Sequence, residues 1–159
     1  SMSVHRRLLA VLFLVAALAL IVVATPAGAQ SEPTTKCTAY TVLKAGNEVP
    51  PSGSKAFGAA AVHINGTTLS FAVTIVNPAR EVFFAGHIHD GDAGANGPVV
   101  VTLFGGPDTD RKLIVQAARM EIDATTAANI CADVDGFYVN YHTRAFPGGA
   151  IRGQLTPVD

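Results

Sequence analysis

Apolar and polar positions alternate along most of the chain beyond residue 35. The clearest stretch is residues 68–76, where Phe71, Val73 and Ile75 fall on one side and Ser70, Ala72 and Thr74 on the other. A period of two marks a strand, because successive side chains point to opposite faces of a sheet. The same pattern predicts strands over residues 36–45, 56–64, 68–76, 81–89, 98–104, 112–122, 136–143 and 149–156, punctuated by Gly, Pro, Asn and Asp. Asn65-Gly66 is the strongest hairpin signal, since both residues tolerate positive φ. Asn77-Pro78 ends the third strand. One segment reads as helical: Asp123 to Cys131 is Ala-rich and opens on a residue suited to capping, which predicts one or two turns. Eight short strands at steady spacing predict an all-β domain, a β-sandwich of Greek-key or immunoglobulin-like type or a barrel, with one short helical turn.

The first thirty residues break this pattern. His5, Arg6 and Arg7 precede Leu8 to Val23, a run without a polar residue, and Ala27-Gly28-Ala29 follows with small side chains. A basic start, a short apolar run and an A-x-A-like site predict a signal peptide over residues 1–29, cut before Gln30. The run is shorter than the roughly 20 residues a membrane-spanning helix needs, and Pro26 follows it closely. The organisation expected is therefore a signal peptide (1–29), a flexible segment (30–35) and one domain (36–156), with no membrane span after cleavage. The protein would then be secreted or held in the cell envelope or periplasm.

Export changes how charge and cysteines read. Removing residues 1–29 takes Arg6 and Arg7 from the 11 Lys and Arg, leaving 9 against 12 Asp and Glu, about −3. No cluster of basic residues remains, which argues against a nucleic-acid partner. The two cysteines, Cys37 and Cys131, lie downstream of the cut, and in an oxidising compartment an even pair is most simply one disulfide. No C-x-x-C is present, so thiol redox chemistry has no support.

Two segments are more specific than periodicity. Gly86-His87-Ile88-His89 is followed by Gly94-Ala95-Asn96-Gly97-Pro98-Val99-Val100-Val101, and Tyr138-Val139-Asn140-Tyr141-His142-Thr143 is followed by Phe146-Pro147-Gly148-Gly149-Ala150-Ile151-Arg152-Gly153-Gln154-Leu155. With Gly46-Asn47-Glu48-Val49-Pro50-Pro51 near the start, these resemble the signatures of the CHRD (chordin-type) domain, common in secreted bacterial proteins. Many members carry an acidic residue where this chain has Ala150. The resemblance implies an extracellular module, with an extracellular or cell-envelope protein as one class of partner. It does not by itself imply an activity.

The candidate chemistry lies in the histidines. His87 and His89 are two apart on a predicted strand, so their rings leave the same face about 7 Å apart at Cα. His142, on another strand, shares a face with Tyr138 and Asn140. Three imidazoles around one ion suit copper or zinc. The competing use is structural: buried imidazoles can donate to backbone carbonyls and tie loop to strand. The order His87-Ile88-His89, His142, Arg152 also resembles, more weakly, copper-zinc superoxide dismutase, itself a β-sandwich. That resemblance implies metal ligands at His87, His89 and His142 and an anion-guiding role for Arg152 beside the ion. No long zinc loop and no match to the bridging histidine are visible, so any site would hold one ion. His63 is a weaker candidate for a fourth ligand.

Other chemistry is thinly supported. Asp90-Gly91-Asp92 with Asn96 fails the spacing of a calcium loop. No nucleophile elbow or phosphate-cradling loop is present. The expected function is an exported binding protein holding one copper or zinc ion. Its rivals are a metal-independent interaction module and a dismutase-like copper enzyme, the single enzymatic candidate.

Overall fold

The computed structural model describes residues 34–158; the expected signal peptide and residues 30–33 lie outside them. Nine strands follow in chain order: β1 (Lys36–Lys44), β2 (Phe57–Asn65), β3 (Thr68–Val76), β4 (Phe83–Asp90), β5 (Val99–Phe104), β6 (Leu113–Glu121), β7 (Phe137–Thr143), β8 (Ile151–Gln154) and β9 (Thr156–Pro157). A helix, α1 (Ala124–Ala132), stands between β6 and β7. The all-β expectation holds, with β2 to β7 within two residues of the ranges the alternation predicts. The expected strand over residues 149–156 is instead two, separated by Leu155, which is 1 % exposed and whose amide donates to Phe137 O at 2.9 Å.

The strands form one antiparallel sheet in the order β5-β4-β7-β8-β1-β2-β3-β6, with β9 beside β1. A single register pair, Lys44 with Arg152, joins β1 to β8. The sheet curls at this junction, so that its two halves face each other across the core as the layers of a sandwich would. Tyr141 on β7 donates its hydroxyl proton to Gln116 Oε1 on β6 at 2.9 Å, although the two strands are five places apart in the order. Between the halves lie Leu43, Ile64, Leu69, Ile75, Ile88, Val139 and Ile151, each fully buried. Such residues contribute roughly 1.5–3 kcal/mol each relative to exposure.

Local chemistry sets the turns. Asn65 pairs with Thr68, so Asn65 belongs to the strand and the two-residue loop is Gly66-Thr67, one position later than Asn65-Gly66 suggests. Gly66 alone takes positive φ there, 62°, which suits a hairpin turn with glycine first. Asp123 caps α1, its Oδ1 accepting from the Thr125 and Thr126 amides at 2.8 and 3.0 Å. Ala127 and Ile130, three apart, turn the helix's buried side inward. The expected disulfide is present: Cys37 and Cys131 are bonded, tying β1 to the end of α1. Among the described residues no helix is long and apolar enough to cross a membrane.

One strand departs from simple alternation. All seven residues of β7 are buried. Val139, Tyr141 and Thr143 face the core, while Tyr138, Asn140 and His142 face the opposite side, which would otherwise meet solvent. Loops 91–98 and 144–150 and the segment 46–53 lie over that second face. Polar side chains are thus buried on the back of the sheet, and they need partners there.

Candidate metal centre

Register assembles the cluster. In the β4–β7 ladder His89 lies opposite Tyr138, His87 opposite Asn140, and Ala85 opposite His142. Residues opposite each other share a face, so His87, His89 and His142 project together. Gly86 makes this possible on the reverse side, since a Cβ there would lie about 2.5 Å from the Tyr141 ring. One nitrogen from each histidine lies within 4.8 Å of the others. His87 Nδ1 is 3.1 Å from His142 Nε2 and is hydrogen-bonded to it; two nitrogens at tetrahedral positions around one ion stand roughly 3.3 Å apart, so an ion would take the place of the shared proton.

Backbone carbonyls fix two of the rings. His89 Nδ1 lies 2.9 Å from Gly97 O, and His142 Nδ1 lies 3.0 Å from Pro147 O. A carbonyl can only accept, so each Nδ1 carries the proton and each Nε2 keeps its lone pair. His89 Nε2 is buried and has no hydrogen-bond partner. Metal-ligating histidines are commonly oriented through such a bond from the other ring nitrogen. The residues therefore fit an ion: three neutral nitrogen donors, two of them tautomer-locked, one aimed at nothing else in the protein. The donor set suits zinc or copper better than calcium or magnesium, which prefer oxygen.

Electrostatics keep the rings neutral. Burial, followed by the neighbouring His142 and His89, pushes His87 down to about 4. His89 and His142 are also lowered from the ordinary imidazole value, burial being the largest cause in each. The backbone bonds to Gly97 and Pro147 partly oppose those shifts.

A brace of aromatic and guanidinium groups backs the cluster. His89 stacks on Tyr138 with ring centroids 4.8 Å apart and planes 7° apart. The Arg152 guanidinium lies 3.5 Å from the Tyr138 centroid. Arg152 is 1 % exposed and donates to Asn96 Oδ1, Asp92 O and Ala95 O at 3.2, 3.1 and 2.7 Å. It therefore braces the 91–98 loop, and it also lines an open cleft of about 350 Å³ beside Glu48. His63 stands apart on β2, with Nδ1 2.8 Å from Thr38 Oγ1, and is not in the cluster.

Two further residues belong to this face. Glu48 is buried, and Asn140 Nδ2 donates to its Oε2 at 3.4 Å. Glu48 Oε1 and Asn140 Oδ1, together with His89 Nε2, are the buried side-chain polar atoms without a partner among the described residues. Burial, opposed by Arg152 and Asn140, raises the Glu48 carboxyl to about 7. Two clefts of about 350 and about 340 Å³ have Glu48 in their walls. Gly149, at φ 146°, passes so close to the carboxylate that any Cβ would collide with it. Glu48 sits in the Gly46 to Pro51 segment, but alternation assigns that segment to a turn and gives no sign that its charge is buried. Asn140 is marked only by its position between Tyr138 and His142 on one face.

The CHRD-domain family model matches residues 39–155, and the chain belongs to that family. No curated protein and no solved structure gives a match.

Proposed function

We propose that this member of the CHRD-domain family is an exported protein that binds a single copper or zinc ion through His87, His89 and His142. The observation that carries the reading is the convergence of the three rings with the Nδ1 protons of His89 and His142 already held by Gly97 and Pro147. The two uses weighed for the histidines then coexist, because the structural hydrogen bonds on Nδ1 of His89 and His142 turn the Nε2 atoms of those two rings toward the cluster. Export is supported by the leader-like pattern of residues 1–29 and by the Cys37–Cys131 disulfide, a bond typical of oxidising compartments.

The test is equilibrium dialysis against Cu²⁺ and Zn²⁺ followed by elemental analysis. One ion per chain in the native protein, lost on replacing His89 with Ala, is the expected result. Protein that leaves dialysis without metal would defeat the reading.

A further inference from the structure

Five of the seven large hydrophobic residues exposed among the described residues are Tyr40, Val42, Phe57, Leu113 and Val115. The register places all five on one face. Val42 lies opposite Ala59, Ala59 opposite Thr74, and Thr74 opposite Val115. The next rows run Tyr40, Ala61, Ala72, Ala117 and Lys44, Phe57, Val76, Leu113. This is the outer face of β1, β2, β3 and β6, turned away from the core. An antiparallel sheet with one buried face normally alternates apolar-in with polar-out. Here three successive rows of the outer face are largely apolar, and alanines keep their centre flat. Contiguous exposed patches of this kind mark interaction sites.

We infer that this face docks a second copy of the chain, sheet against sheet, about a two-fold axis parallel to the strands. Such an axis sets each row against the same row of the partner in reverse order, with β1 over β6 and β2 over β3. Tyr40 then meets the partner's Ala117, Phe57 the partner's Val76 and Val42 the partner's Val115; Lys44 meets the partner's Leu113 at the edge, where its ammonium reaches solvent past the apolar stem. At the rim Lys36 meets the partner's Glu121, a pairing of opposite charge that symmetry makes twice. Glu121 is already held in place by the Thr67 and Thr68 hydroxyls at 2.7 and 2.8 Å. An axis across the strands would instead oppose Lys44 to Lys36, a like-charge pair that symmetry makes twice, and leave Glu121 without a basic partner. Two twisted sheets can meet this way with their strands within about 30° of each other.

The area suits a reversible dimer. Four strands of nine residues cover roughly 550 Å² at ordinary strand spacing. Two copies then bury about 1,100 Å², just above the roughly 1,000 Å² that a specific interface must clear. The face lies on strands other than β4 and β7, so this inference does not depend on the metal reading.

Sedimentation velocity of the secreted protein over a wide concentration range tests it. A monomer–dimer equilibrium is expected, weakened at least about tenfold by Val115→Lys. Lys36→Glu and Glu121→Lys should each weaken the dimer, and the double variant should recover it. Val115 and Lys36 are exposed, so unchanged melting temperatures serve as the folding control for their variants; Glu121→Lys also gives up the Thr67 and Thr68 bonds, and an unchanged circular-dichroism spectrum is its control. A monomer at every concentration overturns the inference, as does a dimer indifferent to Val115→Lys. Failure of the double variant to recover overturns the two-fold axis proposed.

Discussion

His87 Nδ1 lies 3.1 Å from His142 Nε2, although 55 residues separate the two in sequence. The pairing of β4 with β7 produces this contact, and each ring contributes to a cluster that neither strand could form alone. The first prediction follows from that shared geometry. Replacing His87, His89 or His142 singly with Ala should weaken Cu²⁺ or Zn²⁺ binding at least tenfold, or about 1.4 kcal/mol. His63→Ala, remote on β2, should leave affinity unchanged. Isothermal titration of the four variants measures this, and equal losses at all four positions would contradict a localised site.

The pH dependence of metal binding should be displaced. An ordinary imidazole near 6.5 begins to lose metal to protons around that pH. Here all three rings are lowered, His87 to about 4. Protons then compete effectively only as the pH falls through those lowered values. Zinc affinity should therefore change little between pH 8 and pH 6.5 and decline below it, more steeply toward pH 4. A tenfold loss already complete at pH 6.5 would mean that the rings titrate as exposed imidazoles.

How much of this was legible in the sequence depends on which interaction set each position. Alternation located the strands because one buried face imposes a period of two, as at Phe71, Val73 and Ile75. The His87–His89 pair followed from the same rule. The joining of His142 to that pair needed strand order, which periodicity does not contain and which only a resemblance suggested. Glu48 and the bracing role of Arg152 were not legible at all. Both result from loops folding over the back of β7, so that residues expected to face water are buried against Asn140 and Tyr138. The outer-face patch was visible only in part: Tyr40, Val42, Phe57 and Val115 each lie at alternate positions, but one sequence does not say which face is the core when both are apolar.

Reduction of the Cys37–Cys131 bond should destabilise the domain. The two residues are 94 apart, and opening a loop of that size removes about 4–5 kcal/mol in the chain-entropy treatment. That is a large share of the roughly 5–15 kcal/mol that stabilises a typical domain. Calorimetry with and without reductant should show the melting temperature falling by many degrees. The Cys37→Ser/Cys131→Ser variant should reproduce the fall without reductant. A melting temperature unchanged in both would show that β1 and α1 are held by packing alone.

Glu48 supplies a stability test independent of any metal. Burial, opposed by Arg152 and Asn140, raises its carboxyl from 4.5 to about 7. The folded protein therefore keeps this proton up to about pH 7, while the unfolded chain releases it near 4.5. Wherever the folded state binds more protons, stability declines as pH rises. Glu48 thus lowers stability progressively from about pH 4.5 through 7. His87, depressed from 6.5 to about 4, acts in the opposite sense and lowers stability as the pH falls through that window. The two slopes partly cancel in the native protein. Glu48→Gln removes one of them, because the amide is neutral at every pH and close to the carboxyl in shape. The melting temperature of the variant relative to the native protein should accordingly become more favourable from pH 4.5 to pH 7.5, whatever constant offset the amide introduces. The variant alone should also lose stability more steeply than the native protein on acidification below pH 6.5. Calorimetric scans of both proteins across this range measure the difference directly. An offset that does not vary with pH would show that Glu48 titrates as an exposed carboxylate, and one that varies in the opposite sense would show that Arg152 holds it ionised.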